Sequence, residues 1–333
     1  SFTPIPIGGR SMLNVPIPFV PDGKGRYKGK VYIDENNNKV RDFGERGVRL
    51  TVLDIESEFY GTFGTYGESK GQLQSPSAVE STKDGRILVC DDYTHTVNLF
   101  DLDGVFLDRW GMHGEGLKEL NGPSGVAVDS NNNVYISDTR NHRIQKFSID
   151  GVHLGSFGER GMRKGQFELP WGISFTPRNT LCVADWGNSR VQELTLDGEV
   201  SSVIDNFSNS DYELKYPSSA VIDNNGTTYI ADWGNERIKV IDAGGAMVQN
   251  LRGEATISKW ASEFLSSNAE ENNARLASNL EVDLDFLEDH DPHSESAHIE
   301  KYFWSPVSVK LDHLDRVYVT ETNRHRIQVY QQT

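Results

Sequence analysis

Three kinds of residue recur through this chain at a constant step of 47 residues, and this periodicity restricts the possible folds more than any other feature. The positions are Pro76, Pro123, Pro170 and Pro217; Asp91, Asp138, Asp185 and Asp232; and Gly104, Gly151, Gly198 and Gly245. Three registers that stay in phase indicate one supersecondary unit copied in tandem. A fifth copy carries Pro306 and Glu321, each 89 residues after its predecessor, so 42 residues are inserted before it.

Each copy reads as four short β-strands. In the segment 123–158, β-branched and aromatic residues alternate with polar ones, and Asp-Gly or Asn-rich turns separate the runs. A single four-stranded sheet cannot bury both of its faces, so successive copies have to pack face to face around a common axis. The repeat therefore predicts an all-β protein with the architecture of a β-propeller.

The repeated motifs resemble NHL repeats, which are named after an Asn-His-Leu signature. The resemblance covers roughly 54–253 and 303–333. It depends on Pro-Ser-Gly-Val-Ala-Val-Asp (123–129), Asp-Thr-Arg-Asn-His-Arg-Ile (138–144), Asp-Trp-Gly-Asn-Ser-Arg-Val (185–191), Asp-Trp-Gly-Asn-Glu-Arg-Ile (232–238) and Asn-Arg-His-Arg-Ile (323–327). It implies an NHL-type β-propeller and leaves the function open, because propellers of this family serve many purposes.

A degenerate blade precedes the clear repeats. Residues 58–64 match the ends of later outer strands, while 30–34 and 48–54 fit a second and a third strand. We therefore expect a propeller domain over 28–333 whose first blade occupies 28–64 and contains a loop-like insert. This interpretation gives six blades, and a five-bladed ring is the alternative.

The last blade lacks a fourth strand of its own, because the sequence ends at Thr333. The segment 1–27 is a Pro-rich arm, a composition that favours extended conformations. A strand within 1–20 could close the ring and remove the exposed sheet edges. In the five-bladed alternative, 54–64 closes the ring. The arm could equally reach a neighbouring molecule.

Composition excludes some classes of ligand and of location. A formal net charge of −16 argues against nucleic acid as the main ligand, since phosphate binding needs a basic surface. The sequence has no run of about 18 apolar residues, so we expect no membrane span. The first residue is Ser, as it would be after removal of a leader. We expect a secreted, periplasmic or cell-surface protein.

The segment 34–45 places oxygen ligands at the spacing of an EF-hand-type calcium loop. Carboxylate and amide side chains stand at loop positions 1, 3, 5, 9 and 12, and position 7 offers a backbone carbonyl. The ligands in order are Asp34, Asn36, Asn38, Val40, Asp42 and Glu45. Alternate residues of such a tight loop point inward, which supplies the hard oxygens that Ca²⁺ requires. We therefore predict a structural calcium site, and a plain Asn/Asp turn without an ion is the alternative.

The loop departs from the EF-hand pattern at Lys39, where a glycine normally allows the sharp turn. Its flanks, Gly-Lys-Val-Tyr-Ile and Gly-Val-Arg-Leu-Thr-Val, read as strands instead of helices. The loop therefore resembles those of bacterial surface-adhesin repeat domains more than a helix–loop–helix sensor.

The insertion at 254–300 is acidic and partly helical. Apolar residues at 257–265 follow helical spacing, and a second helical pattern includes Leu276 and Leu280. Between 270 and 300 there are ten Asp or Glu residues and one Arg. Long insertions on a rigid scaffold often carry function. We consider a docking element for a protein partner and a solvated acidic flap, and we place the insertion on the propeller face that carries the calcium loop.

The sequence does not support an enzyme of the kind the resemblance suggests. The resemblance extends to amidating lyases, and it implies that such lyases hold zinc through histidines directly after the blade-opening prolines. The matching positions are Ser77, Ser124, Trp171, Ser218 and Val307, and none replaces an imidazole ligand. The inner strands 125–128, 172–175 and 219–222 lack carboxylates, and no nucleophile elbow or phosphate loop occurs. We expect no catalysis; a calcium-dependent lactonase or lyase in the channel is the alternative.

Aromatic and arginine residues mark loop tips on one face. Trp171 opens an inner strand, Trp186 and Trp233 follow the repeated Asp, and Arg140 holds the same loop position in the neighbouring blade. Recognition surfaces use these residue types at loop tips. The alternative is that each Trp packs a seam between blades.

The insertion adds Trp260 and Phe264 to these candidate partner-binding residues. We interpret the chain as a non-catalytic protein-interaction scaffold, one subunit of a larger assembly. Its protein partner would bind through one propeller face and through 254–300. A ligand-sensing domain of a receptor is less favoured, because no transmembrane or kinase-like segment accompanies the repeats.

Overall fold

A computed structural model describes residues 63–205, 213–254, 264–280, 284 and 291–331. It also describes three short strands nearer the start: β1 (Lys30–Val31), β2 (Arg49–Thr51) and β3 (Leu53–Asp54). A parallel pair, β4 (Thr65–Tyr66) and β5 (Gln72–Leu73), leads into the first blade. The later strands form antiparallel sheets, as the repeat predicts.

Each blade runs from an inner to an outer strand. The first blade has β6 (Pro76–Ser81), β7 (Arg86–Asp91), β8 (Thr96–Asp101) and β9 (Phe106–Trp110). The second has β10 (Pro123–Val128), β11 (Asn133–Asp138), β12 (Arg143–Ser148) and β13 (His153–Phe157). The third has β14 (Pro170–Phe175), β15 (Leu181–Asp185), β16 (Arg190–Leu194) and β17 (Val200–Ile204). The fourth has β18 (Pro217–Ile222), β19 (Thr228–Asp232), β20 (Arg237–Ile241) and β21 (Met247–Leu251). The fifth has β22 (Pro306–Leu311), β23 (Val317–Glu321) and β24 (Arg326–Gln331).

Among the described residues, helical structure occurs in turns and in the insertion. One 3-10 turn follows the second strand in each of the three middle blades: Thr139–Asn141, Trp186–Asn188 and Trp233–Asn235. The insertion contains the helices Ala269–Ala277 and Pro292–His298. Within the described ranges, no helix has both the length and the apolar composition that crossing a bilayer requires.

The core lies between the blades, because each sheet presents two apolar faces. Leu99 of the first blade packs with Ile136 and Phe147 of the second in one buried cluster. Tyr229 of the fourth blade and Val319 of the fifth share another cluster. The outer strand β13 alternates between partly buried and exposed residues, as expected for a strand with one face in solvent.

The described residues form five four-stranded blades, which is the alternative that the sequence leaves open, and not six. The fourth strand of the fifth blade is β2, in which Leu50 pairs with Tyr330 of β24. Neither 1–20 nor 54–64 supplies this closing strand. Lys310 of the last inner strand donates to Glu80 of the first at 3.2 Å, so these two strands approach each other in the ring.

A buried acidic residue ends the second strand of every blade: Asp91, Asp138, Asp185, Asp232 and Glu321. In the last four blades it accepts a hydrogen bond at 2.6–3.1 Å from the guanidinium Nε of the arginine five residues later. We call these residues the motif arginines: Arg143, Arg190, Arg237 and Arg326. The acidic residue also accepts from a backbone N–H seventeen residues upstream. The same arginines donate to carbonyl oxygens of the loop that enters the blade, for example Arg190 to Met162 and Gln166. The motif arginines therefore tie loops to strands, as their recurrence suggests.

In two blades, different residues make the contacts to the incoming loop or to the buried acidic residue. The first blade has Thr96 in place of the arginine, and Arg109 of the outer strand donates to the carbonyls of Glu68, Ser69 and Gln72 instead. The fourth blade has Lys239 where its neighbours have glutamine, with Nζ 3.3 Å from Asp232. Burial lowers the pKa of Lys239 to about 8.

A second repeated contact joins each blade to the next. The residue that ends the loop after the second strand has a positive φ, and its side chain accepts a hydrogen bond from the residue before the next blade-opening proline. The pairs are His95 with Gly122, His142 with Leu169, Ser189 with Tyr216, and Glu236 with Ser305. His95 and His142 are therefore parts of the scaffold.

Replacement of Arg190 by Met should destabilise the fold by about 3–5 kcal/mol, because Asp185 would be left as an unpaired buried charge. Denaturant unfolding measures the change. Arg160→Met is the matched control, since its pair with Glu168 is exposed and should contribute little. Equal effects of the two substitutions would contradict the assignment of the buried pair as a structural node.

Acidification should weaken the contact made by His95. Burial, with the nearby His113 and Arg140, lowers the pKa of His95, so the unfolded chain takes up a proton first as the pH falls below about 6.5. Stability is therefore complete above that pH and decreases below it. Thermal unfolding between pH 8 and pH 5 should show a smaller decrease for His95→Asn than for the wild type. His313→Asn, at an exposed turn, should keep the wild-type dependence.

Candidate binding face

One face of the ring carries both the turns after the second strands and the loops between blades. The 3-10 turns meet the preceding inter-blade loops there through backbone hydrogen bonds. Arg140 donates to Asn121, Gly187 to Glu168 and Gly234 to Lys215, at 2.7–3.0 Å. The insertion joins the fourth blade to the fifth on the same face, because it occupies the position of an inter-blade loop.

A row of four aromatic residues crosses this face over the third and fourth blades. The ring centroids of Trp171 and Trp186 are 5.9 Å apart, and those of Trp186 and Trp233 are 6.3 Å apart. Tyr216 stacks on Trp186 at 4.5 Å with an angle of 26° between the rings. All four rings are partly exposed. We call this set the aromatic row.

The backbone under the aromatic row is firmly held. Trp186 and Trp233 each begin a 3-10 turn directly after a buried aspartate. Asn188 and Asn235 bind those aspartates at 3.0 and 2.8 Å. The side chains at the tips are therefore presented in fixed positions, which reduces the entropy lost when a ligand binds.

Arg140 lies beside one end of the row. The preceding Thr139 donates its hydroxyl to the carbonyl of Pro170 at 2.7 Å, which places the turn of the second blade against Trp171. The Arg140 side chain is exposed and forms no ion pair with any residue in the described part of the chain. It lies over Gly122, whose backbone φ of +63° favours glycine at that position.

Four of the predicted partner-binding residues thus lie on one surface: Arg140, Trp171, Trp186 and Trp233. Phe264 belongs to a helical segment of the insertion, 264–267, is 43% exposed, and makes no ring contact with the row among the described residues. Trp260 and the six calcium-loop residues, Asp34 to Glu45, lie outside the described residues. The prediction that the calcium loop shares this face is therefore not tested.

Sequence reasoning missed Tyr216 as a member of the row. The available signal was its position directly before the blade-opening Pro217, which brings it to the turn of the preceding blade. Its backbone N–H donates to Ser189 Oγ at 3.3 Å, and its φ is positive. Its ring is 37% exposed at the edge of the stack with Trp186.

A three-residue clasp holds the insertion against the propeller, and it was also missed. Glu236 is buried and binds His293 of the insertion at 2.6 Å, while Trp304 donates its indole N–H to the other ring nitrogen at 3.1 Å. Burial raises the pKa of Glu236, and the hydrogen bond from His293 opposes this. Because His293 is far from Glu236 in sequence, no local pattern indicates the contact.

Further contacts fix the second half of the insertion. Arg252 pairs with Glu295 and Arg275 with Glu300, each at 2.8 Å. The side chain of Arg324 donates to the carbonyl of Ile299 at 3.0 Å and lies over the ring of Trp304. The helix Ala269–Ala277, in contrast, has no buried residue, and Leu276 is 76% exposed.

Two of the positions after the blade-opening prolines join neighbouring blades. Ser77 donates its hydroxyl to the carbonyl of Pro123 at 2.5 Å, and Ser218 donates to that of Pro306 at 3.1 Å. Ser124 donates to Gly122 within its own blade. Among the residues that the structure describes, no group of three or more His, Cys, Asp or Glu side chains is placed to hold a metal ion.

Comparison with known proteins identifies the repeat. The segments 120–147, 167–194 and 303–330 match the NHL repeat family. No curated protein matches the chain. These matched segments contain the buried acidic residues and motif arginines of the second, third and fifth blades.

Solved structures are similar in fold. Virginiamycin B lyase from Staphylococcus aureus is 13% identical, with a TM-score of 0.46 over 77% of this chain and 70% of that chain. A protein of unknown function from Bacteroides thetaiotaomicron is 17% identical, with a TM-score of 0.49 over 78% and 59%. A chain of the nidogen/laminin complex is 20% identical, with a TM-score of 0.42 over 54% and 64%. At such identities and TM-scores these structures carry no argument about function.

Proposed function

This chain is a β-propeller with NHL repeats, and we propose that it acts as a non-catalytic scaffold that binds a protein partner on the face of the aromatic row. The observation that carries the proposal is a set of three partly exposed tryptophans on a hydrogen-bonded backbone, beside Arg140, which forms no ion pair with any described residue. Tryptophan, tyrosine and arginine are the residues that dominate binding energy at protein interfaces.

Neighbouring loops on this face extend the apolar surface. Met112 and Leu117 in one inter-blade loop, and Met162 in the next, are 63%, 66% and 79% exposed. Methionine adapts to irregular partner surfaces, and exposed apolar patches often mark interaction sites. This composition supports a protein as the partner.

The insertion offers a second contact region. Its helix Ala269–Ala277 projects Leu276 into solvent, and Leu280 and Phe264 are also exposed, while the second half is clasped to the ring. A partner seated on the aromatic face could reach this segment. The channel-centred lactonase or lyase stays an alternative prediction. Ser77 and Ser218 do not support it, because they use their hydroxyls to join blades.

Loss of the aromatic row should abolish partner capture. We expect a stoichiometric protein to be recovered from the source material with the intact chain and to be lost with the double substitution Trp186→Ala and Trp233→Ala. Leu154→Ser is the matched control, because Leu154 is exposed on an outer strand and lies away from this face. If all three versions capture the same protein, or if none captures any, the scaffold proposal fails. Hydrolysis of a lactone or ester by the intact chain would support the alternative.

We also propose that the 34–45 loop binds calcium and that the protein functions outside the cytoplasm. Calcium of roughly millimolar concentration would fill even a weak site there. The location is a proposal from sequence composition and from this loop.

Calcium should raise the thermal stability of the chain. When free Ca²⁺ exceeds the Kd about a hundredfold, a site present only in the folded state contributes about 2.7 kcal/mol. Glu45→Gln should remove this effect, because Glu45 occupies the bidentate position. Glu35→Gln, at a position that is not a ligand in the same loop, should retain it. A melting temperature that does not respond to Ca²⁺ or to a chelator would contradict the site.

A further inference from the structure

The aromatic row presents ring edges and clefts more than open ring faces. Tyr216 covers a face of Trp186 at 4.5 Å. Trp171 and Trp233 are tilted from Trp186 by 49° and 47°. A flat sugar ring needs an uncovered aromatic face, whereas tilted rings leave grooves between ridges. The geometry therefore favours a narrow ligand that lies across the ridges.

The row also contains hydrogen-bond donors that lack acceptors. Among the described residues, the indole N–H groups of Trp171, Trp186 and Trp233 have no hydrogen-bond partner. Two other tryptophans use theirs: Trp110 donates to the carbonyl of Ile149, and Trp304 donates to His293, both at 3.1 Å. A ligand with free backbone carbonyls would complement these donors.

A polyproline II segment has both required properties. It is narrow and preformed, and it makes no internal hydrogen bonds, so its carbonyl oxygens remain available. Aromatic-lined grooves bind such segments with a small loss of conformational entropy. A strand or helix fits less well, because most of its carbonyls are already paired.

The chain itself contains a segment of this kind. Residues 15–21 read Val-Pro-Ile-Pro-Phe-Val-Pro, in which Pro18 and Pro21 are separated by two residues. This segment lies outside the described residues. One polyproline II turn contains three residues and advances about 9.3 Å. The ring centroids of neighbouring tryptophans in the row are 5.9 and 6.3 Å apart. One turn is therefore longer than either distance and shorter than their sum.

Charge selects an orientation for this segment. Asp22 directly follows Pro21, and Arg140 stands unpaired at the Trp171 end of the row. With Pro21 beside Trp171, the Asp22 carboxylate would lie near the guanidinium. Nine residue steps separate Pro21 from Lys30 of β1, a length that spans up to about 28 Å in the polyproline II conformation.

We infer that the aromatic row is a docking site for a polyproline II segment and that its occupant is the segment 15–21 of this chain. The inference rests on the proposed function, since it uses the same face. An arm that docks on another copy makes that copy the protein partner.

A peptide of residues 12–24 tests the site on the full chain. The chain would carry Pro16→Ala, Pro18→Ala and Pro21→Ala, so that its own arm cannot compete, and titration calorimetry would measure binding. We expect saturable binding that a peptide with the same three substitutions lacks. Trp186→Phe with Trp233→Phe keeps the rings but removes two donors, and should weaken binding about tenfold. Tyr93→Ala, an exposed aromatic at the equivalent turn of the first blade, should leave binding unchanged.

Charge exchange tests the orientation. Asp22→Lys in the peptide should weaken binding about threefold, as expected for an exposed pair, and Arg140→Glu in the protein should restore it. Circular dichroism and melting temperature establish that each variant is folded. Size-exclusion chromatography of the wild-type chain then separates docking within one copy, which leaves a monomer, from docking between copies.

Three results would overturn the inference: no peptide binding, equal binding by the proline-free peptide, or binding of a gluco-oligosaccharide in place of the peptide. If the peptide fails while the tryptophan variants still lose a captured partner, the inference is wrong and the proposed function stands. If the peptide binds but no partner is captured, the inference stands and the scaffold proposal fails.

Discussion

The buried acidic residue at the end of each second strand is the constraint on which the rest of the structure depends. A carboxylate without access to water is costly unless several donors surround it. In the third blade, Asp185 accepts from Arg190, Asn188 and the backbone N–H of Glu168. These donors come from the next strand, the 3-10 turn and the incoming loop. Satisfying one charge therefore fixes three segments and, with them, the position of Trp186.

The first and fourth blades meet this constraint with different residues, so it requires hydrogen-bond donors of a certain kind and no particular residue. Arg109 reaches the loop carbonyls of the first blade from the outer strand, because Thr96 cannot. Lys239 enters the fourth blade at a glutamine position, and its pKa of about 8 reflects the burial that its role requires. The NHL repeat family matches the second, third and fifth blades, where the usual residues are in place. In the first blade the buried Asp91 instead accepts from the backbone N–H groups of Gln74, Ser75, Tyr93 and Thr94, so the motif arginine is one of several ways to supply donors to this group.

The fold and part of the candidate site could be predicted from the sequence, because both depend on residues that recur in register. The 47-residue step predicts the blades, and the positions of Trp186 and Trp233 after the repeated Asp predict a shared face. Contacts without a repeat gave no such signal. The pairing of Leu50 with Tyr330 joins distant parts of the chain, as does the contact of His293 with Glu236. Tyr216 joins the row only because the turn before Pro217 has a positive φ.

The position equivalent to His142 connects the scaffold with the binding face. A side chain there accepts one hydrogen bond from the next blade, and histidine or serine is sufficient for this. In the fourth blade the residue is Glu236, whose second oxygen remains available after it binds the backbone of Ser305. That oxygen binds His293 and so anchors the insertion. One substitution at a structural contact thus supplies the attachment point for a 42-residue insertion, beside the aromatic row and on the same rigid turns. Trp233 and Glu236 begin and end the same turn of the fourth blade, so the clasped half of the insertion has a defined position relative to that end of the row.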